Sequence, residues 1–255
     1  MLRSGVRSAV FFVLTLLASF AAPCCFAINK DFHQIYPLEP GGVFELQNVN
    51  GPVEIQGWDR NEVEIHAVKI AKEREADIDR VSIEIEARPN SVAVATRYPQ
   101  SEGVEVAVVY TVRVPRGAHV ERVATINGTV KVAGVQSVAD LHTVNGNIEV
   151  YDGGGNVHAH TTNGNVHVEL LHVAEEQGAT AETTNGSVLL AVPRDTQADL
   201  EARSLNGSFF SELPLTSEMS QRPRETRGKF GKGGAPIRLN TVNGGIRVEV
   251  LRSTV

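Results

Sequence analysis

The sequence predicts an all-β protein: a β-solenoid of stacked coils cornered by Asn-Gly pairs, with an antiparallel β-sheet inserted near the N-terminus. Three observations carry this. Val, Gly and Thr recur while aromatic residues make up only 5% of the chain, a mixture that favours strands and turns over helices. Asn-Gly occurs at Asn50, Asn127, Asn145, Asn163, Asn185, Asn206 and Asn243. The residues around each copy also repeat in type at fixed offsets. With 255 residues, 42% of them hydrophobic, the chain can bury a large core and is too apolar for general disorder.

The N-terminus reads as an export signal. Arg3 and Arg7 precede "AVFFVLTLLASFAA", residues 9–22, an uncharged run too short to span a bilayer comfortably. "CFA" at 25–27 offers small side chains at the −3 and −1 positions of a cleavage site after Ala27. Residues 1–27 are thus expected to be a signal peptide and residues 28–255 a single β domain. A lipid anchor at Cys24 or Cys25 is the weaker alternative, because Pro23 and Cys24 stand where a small residue is wanted. Cleavage would remove both cysteines, so no disulfide is expected to support the mature fold. No second apolar run follows, which predicts a periplasmic, cell-surface or secreted protein without a transmembrane segment in the mature chain. The formal net charge is −6 and becomes two units more negative without Arg3 and Arg7. Nucleic acid is therefore an unsuitable partner, since binding it needs a basic footprint.

Residues 58–121 follow the first Asn-Gly unit and lack the repeat. "EVEIHAVKIA", "RVSIEIEA", "SVAVATRY" and "VEVAVVYTVRVP" alternate in polarity and predict long antiparallel strands. "ARPNS" at 87–91 suits a hairpin connection. "KEREADIDR" at 72–80 predicts a short, exposed helix.

From Asn127 onward, over about residues 122–251, the Asn-Gly pairs are spaced by 18, 18, 22, 21 and 37 residues. Two places before the Asn stand Asn48, Thr125, Thr143, Thr161, Thr183, Ser204 and Thr241. Apolar residues occupy the positions four before, three after and five after in nearly every copy. Each unit is therefore strand, turn, strand, with alternate residues inward. Parity alone fits either a hairpin or the corner of a coil. Repetition of residue type near a period of 20 favours stacked coils. Asn-Gly suits the turn because both residues tolerate positive φ. Inward Thr hydroxyls require partners in neighbouring coils, because an unpaired buried hydroxyl costs about 1–3 kcal/mol. "GVQS" at 134–137, "YDGGGN" at 151–156 and "VAEEQG" at 173–178 supply second corners.

The stretch 214–236 is punctuated by Gly and Pro and predicts an exposed basic loop carrying Arg222, Arg224, Arg227, Lys229 and Lys232. These are the candidate binding residues, suited to anionic headgroups or acidic polysaccharide; a solvated insertion is the plainer alternative.

"VNGPVEIQGWDRNEVEIHAVKIAK" at 49–72, "VYTVRVPRGAHVERVATINGTVKV" at 109–132, the TxNGxV series and "GKFGKGGAPIRLNTVNGGIRVEV" at 228–250 resemble the bacterial putative-adhesin family of β-strand-repeat proteins, DUF4097. The resemblance spans roughly residues 36–251. It implies an exported, β-helix-like protein, and it brings no catalytic residues.

No phosphate-binding loop, GxSxG elbow or HExxH motif occurs, and no cofactor is expected. One outward patch could bind zinc: Asp140 and His142 should lie beside His158 and His160 on the next coil, with Glu182 beyond. The plainer alternative is a row of solvated side chains multiplied by coil duplication. The sequence therefore favours a non-enzymatic envelope protein whose partner is an envelope protein or polysaccharide. An envelope-stress sensor or regulator is a second reading. A polysaccharide-acting enzyme is a third, and would have to draw on scattered acids such as Glu149, Glu169 and Glu182.

Overall fold

The alternating runs form strands throughout the computed structural model, which describes residues 28–252 apart from 73, 100–102, 155, 174–177 and 219–223. The expected signal peptide, Cys24, Cys25 and Arg222 lie outside the described residues. In chain order the strands are β1 (Ile28–Pro37), β2 (Val43–Gln47), β3 (Val53–Trp58), β4 (Glu62–Ala71), β5 (Ser82–Arg88), β6 (Ser91–Arg97) and β7 (Val106–Pro115). Next come β8 (His119–Ala124), β9 (Val130–Ala133), β10 (Ser137–Asn145), β11 (Ile148–Gly153), β12 (Val157–Asn163), β13 (Val166–Leu170) and β14 (Ala179–Asn185). The last are β15 (Val188–Val192), β16 (Ala198–Asn206), β17 (Phe209–Ser211), β18 (Leu215–Glu218), β19 (Glu225–Phe230), β20 (Ala235–Asn243) and β21 (Ile246–Val250). One sheet runs β1-β4-β7-β3-β9-β11-β13-β15-β21-β17 and the other β18-β19-β16-β20-β14-β12-β10-β8-β2-β6-β5. Inward residues of both sheets share one core.

Each Asn-Gly pair is a corner and not a hairpin: the strand before it lies in the eleven-stranded sheet and the strand after it in the ten-stranded one. Equivalent strands stack in parallel register, so that Thr143 lies beside Thr161 and Ile148 beside Val166. The inward positions inferred from the repeat are buried except at Phe209 and Ser211, which are half-buried. The buried hydroxyls of the threonine ladder find partners in the neighbouring coil. Thr143, Thr161, Thr183 and Thr241 donate to the carbonyls of Gly128, Gly146, Gly164 and Gly186 at 2.8–2.9 Å.

The glycines of the corners have a different purpose from the expected one. Among the seven pairs no Asn has positive φ, and only Gly51 and Gly244 do among the glycines. What requires glycine is the close approach of stacked backbones: a Cβ on Gly164 would overlap the carbonyl oxygen of Gly146, and one on Gly146 that of Gly128.

Three expectations are corrected. Residues 58–121 do not form a sheet of their own. β4 and β7 pair antiparallel in the ten-stranded sheet, and the β5–β6 hairpin in the other. Val63, Ile65, Val92 and Val94 thereby face the core that the repeats fill. The expected exposed helix is a 3-10 segment, Glu75–Arg80, whose Asp77 and Ile78 are buried; hydrogen bonds from Arg74 and Arg80 at 3.0 Å make Asp77 tolerable there. The described residues of the stretch 214–236 are mostly strand: β18 and β19 pair antiparallel, and β19 extends the sheet beside β16. Phe230 anchors it, fully buried, while Arg227 and Lys229 alternate outward.

The stacking order also departs from chain order. β20 lies between β14 and β16, and β21 between β15 and β17. Ile237 and Leu239 thereby stand in register with the small inward Ala179 and Ala181 on one side and with Leu200 and Ala202 on the other. The long final step in the repeat houses the β18–β19 hairpin, which carries the chain back to this slot.

Candidate functional site

The eleven-stranded sheet turns a polar face to solvent, and both sequence-derived candidate sites lie on it. One row of register partners runs Asp140, His158, Thr180, Arg238, Glu201 and Arg227. The next runs His142, His160, Glu182, Asn240 and Arg203. Only β14, β20 and β16 separate the histidine patch from the basic hairpin.

The register places Asp140 beside His158 and His142 beside His160, as the coil alignment predicts. The rings of His142 and His160 stack with centroids 5.0 Å apart and planes 6° from parallel. Burial lowers the pKa of His142 most, the neighbouring His160 lowers it further, Asp140 opposes and Arg122 adds a small decrease. His160 Nδ1 lies 3.5 Å from Glu182 Oε2, and Asn240 Nδ2 donates to Glu182 Oε1 at 2.8 Å. Among the described residues no three His, Cys, Asp or Glu side chains are placed to hold a metal ion. What this patch offers is a flat imidazole pair beside a hydrogen-bonded carboxylate.

Two shallow depressions continue the face. One, of about 410 Å3, has His160, Glu182, Arg203 and Asn240 in its wall. The other, of about 360 Å3, is bordered by Asp199, Arg227, Lys229 and Arg238. Glu201 belongs to both. The basic residues are matched by acids: Arg227 Nη2 stands 3.3 Å from Glu201 Oε1, and Arg227 Nε donates to the buried Glu225 at 2.5 Å. Lys229 Nζ is 3.9 Å from Asp199 Oδ1. Lys232 and Arg224 are exposed, Arg224 with φ 66°. Around Arg227 and Lys229, acid and base alternate across β16 and β19.

The acids considered for glycan chemistry do not converge. Glu149 and Glu169 lie on the outer face of the ten-stranded sheet, in β11 and β13, and Glu182 on the outer face of the other, in β14. The core separates them.

A second polar cluster was not anticipated. β1 pairs along its whole length with β4, bringing His33 Nε2 to 3.0 Å from Glu64 Oε1, where Arg113 Nη1 also reaches Glu64 at 2.8 Å. His66 and Thr111 complete a depression of about 250 Å3. The hydrogen bond with His33 is the largest influence lowering the Glu64 pKa. The signal for β1 was the alternation of Phe32 and Tyr36, which pack on the core, with outward Asp31 and His33.

A profile of the Toastrack DUF4097 family matches residues 47–249. Similar solved structures include a "putative cell adhesion protein" from Clostridium sporogenes, at 14% identity and a TM-score of 0.49, covering 87% of this chain and 100% of that one. Another is a "putative adhesin" from Bacteroides fragilis, at 12% identity and a TM-score of 0.33, covering 87% and 97%. A third, from Parabacteroides distasonis, has 10% identity and a TM-score of 0.31, covering 87% and 97%. No curated protein matches the chain.

Proposed function

The chain belongs to the Toastrack DUF4097 family, and from that premise we propose that it is a non-enzymatic protein exported to the cell envelope, where its stacked repeats form a β-solenoid that presents a repetitive surface for adhesion, binding or scaffolding. The observation that carries this reading is the register. Outward side chains of successive repeats align into rows that cross the strands at their spacing of about 4.8 Å, which suits an extended partner. An envelope protein or polysaccharide is such a partner. The hairpin residues Arg224, Arg227, Lys229 and Lys232 would border its path; Arg222, the fifth basic candidate, lies outside the described residues.

Export enters through the sequence of residues 1–27. Among the described residues no helix is long and apolar enough to cross a membrane. The non-enzymatic reading is supported by the placement of Glu149 and Glu169 on one outer face and Glu182 on the other.

The test uses the exported protein with isolated envelope polysaccharide and solubilised envelope proteins. Retention by one of them, with polymer length and protein bands unchanged after incubation, is expected. Shortened polymer, or no retention by either fraction, would remove the reading.

A further inference from the structure

The corner joining the two sheets forms an edge unlike either outer face. The residue just before each ladder Asn is aliphatic or Thr: Val49, Ile126 and Val144 toward one end, Thr162 and Thr184 in the middle, Val242 and Leu205 at the other. The residue two places after the Asn is Pro, Thr, Asn, Ser or Gly in every copy. These three parallel rows hold no charged residue, in a chain of which 21% is charged. The rows are not buried: Ile126 is 46% exposed and Leu205 and Val242 37% each, and six of the seven Asn are exposed. Exposed positions are where charge normally concentrates. Six strand spacings make the strip about 29 Å long.

The hydrogen-bonding capacity of the strip is also regular. Each ladder amide except Asn50, which within the ladder only accepts, donates to its neighbour at 2.7–2.8 Å, from Asn127 onto Asn50 through to Asn206 onto Asn243. A primary amide has two N–H donors and two lone pairs, so an interior rung keeps one donor and one acceptor for a ligand. Beside the ladder, Asn147 and Asn165 accept backbone N–H groups through Oδ1 at 2.8–2.9 Å, a role that does not use the two N–H donors of each amide. The edge therefore offers donors and acceptors at strand spacing, flanked by an aliphatic ridge.

We propose that this strip binds a neutral polysaccharide laid along the stack. The inference rests on the reading of the chain as an envelope-binding protein and names the class of its partner. Sugar hydroxyls would exchange hydrogen bonds with the free amide groups, while the C–H faces of the rings pack on the aliphatic ridge. A charged polymer would find no counter-charge in the strip and would lose solvation there without compensation.

The test measures co-sedimentation of the exported protein with insoluble chitin and cellulose, and its binding to anionic alginate. Binding to a neutral polymer that is insensitive to salt is expected, because no ion pair is involved. Thr162→Lys/Thr184→Lys should bind about tenfold more weakly, as expected when a charge is desolvated unpaired. Lys30→Glu, on the edge strand β1 and apart from both the strip and the outward rows, should bind as the parent does. Ser187→Lys, whose side chain is exposed on the strip, provides a second variant should the double one unfold, and should weaken binding likewise. Retention unaffected by either strip variant overturns the proposal. So does retention by alginate alone, lost in Arg203→Glu/Arg238→Glu, although it leaves the envelope-binding reading standing. Retention by none of these polymers, nor by isolated envelope fractions, removes both.

Discussion

Asn243 Nδ2 donates to Asn185 Oδ1 at 2.8 Å across 58 residues of sequence, while Asn206, which lies between them in the chain, donates to Asn243 from the opposite side at 2.8 Å. The last repeat is thus held in the interior of the ladder and the preceding repeat at its end. Asn243→Ala removes two ladder bonds and Asn206→Ala one. At about 0.5–1.5 kcal/mol per bond, with water able to replace part of each at this exposed edge, Asn243→Ala should cost roughly twice as much as Asn206→Ala. Urea unfolding with unchanged slope measures the difference. Equal losses would mean that the ladder bonds contribute nothing beyond solvation.

The corner couples a buried hydroxyl to a close backbone approach. Thr161 donates to the Gly146 carbonyl at 2.9 Å, and Gly164 follows on the same coil with no room for a Cβ. Thr161→Val keeps the volume and deletes the donor, so about 1–3 kcal/mol should be lost. Thr161→Ser should lose less, since the bond survives. Gly164→Ala should cost about 3 kcal/mol or more, because the obstruction is backbone. Gly41→Ala is the control: its φ of 85° is unfavourable but nothing lies within 4 Å, so only about 1–2 kcal/mol of backbone strain applies. If Gly41→Ala proves the costlier change, conformational freedom rather than close stacking explains the repeated glycine.

The stacked imidazoles make the outer face sensitive to mild acid. His142 has its pKa lowered from 6.5, first by burial and then by His160. The folded state therefore disfavours the protonated form. The stabilising contribution is present above pH 6.5 and is lost as pH falls through the lower folded value. NMR titration should find the His142 midpoint below 6.5. His160→Ala should raise that midpoint but not restore it fully, because burial remains. A midpoint unmoved by His160→Ala would show that the stacked ring exerts no electrostatic effect.

The repeat made most of the fold legible, since Thr143, Thr161 and Thr183 announce both their inward direction and their need for partners in the next coil. Stacking order was not legible. Every repeat presents nearly the same register, so nothing local distinguishes a slot beside Asn185 from one beside Asn206, and long-range packing of Ile237 and Leu239 against small alanines makes the choice. The candidate site suffered similarly. Asp140, His142, His158 and His160 share a face because adjacent coils keep their register, which the sequence displays. In the sequence Arg227 and Lys229 resemble loop residues, because the flanking Gly and Pro obscure the alternation of Arg227, Lys229 and inward Phe230. Their pairing with Glu201 and Asp199 depends on β19 joining β16, a long-range contact with no counterpart in the repeat.

Tyr110, on β7, and Thr96, on β6, join the two sheets through the core, with oxygens 2.7 Å apart. Both residues are buried, and burial pushes the Tyr110 phenol up to about 12. The folded state holds the phenol neutral, whereas in the unfolded chain it ionises near its ordinary value of 10.0. Stability should therefore decline as pH rises from about 10 toward 12. Tyr110→Phe should be less stable at neutral pH by about 1–3 kcal/mol, because the Thr96 hydroxyl is left buried without this partner. The same variant lacks the alkaline penalty, so its stability curve should converge on that of the parent between pH 10 and 12. Denaturant unfolding across that range, with ultraviolet titration of the phenols, provides the measurement. Curves that remain parallel would show that Tyr110 ionises as readily in the folded protein as in the unfolded chain, and that the sheets are not sealed around it.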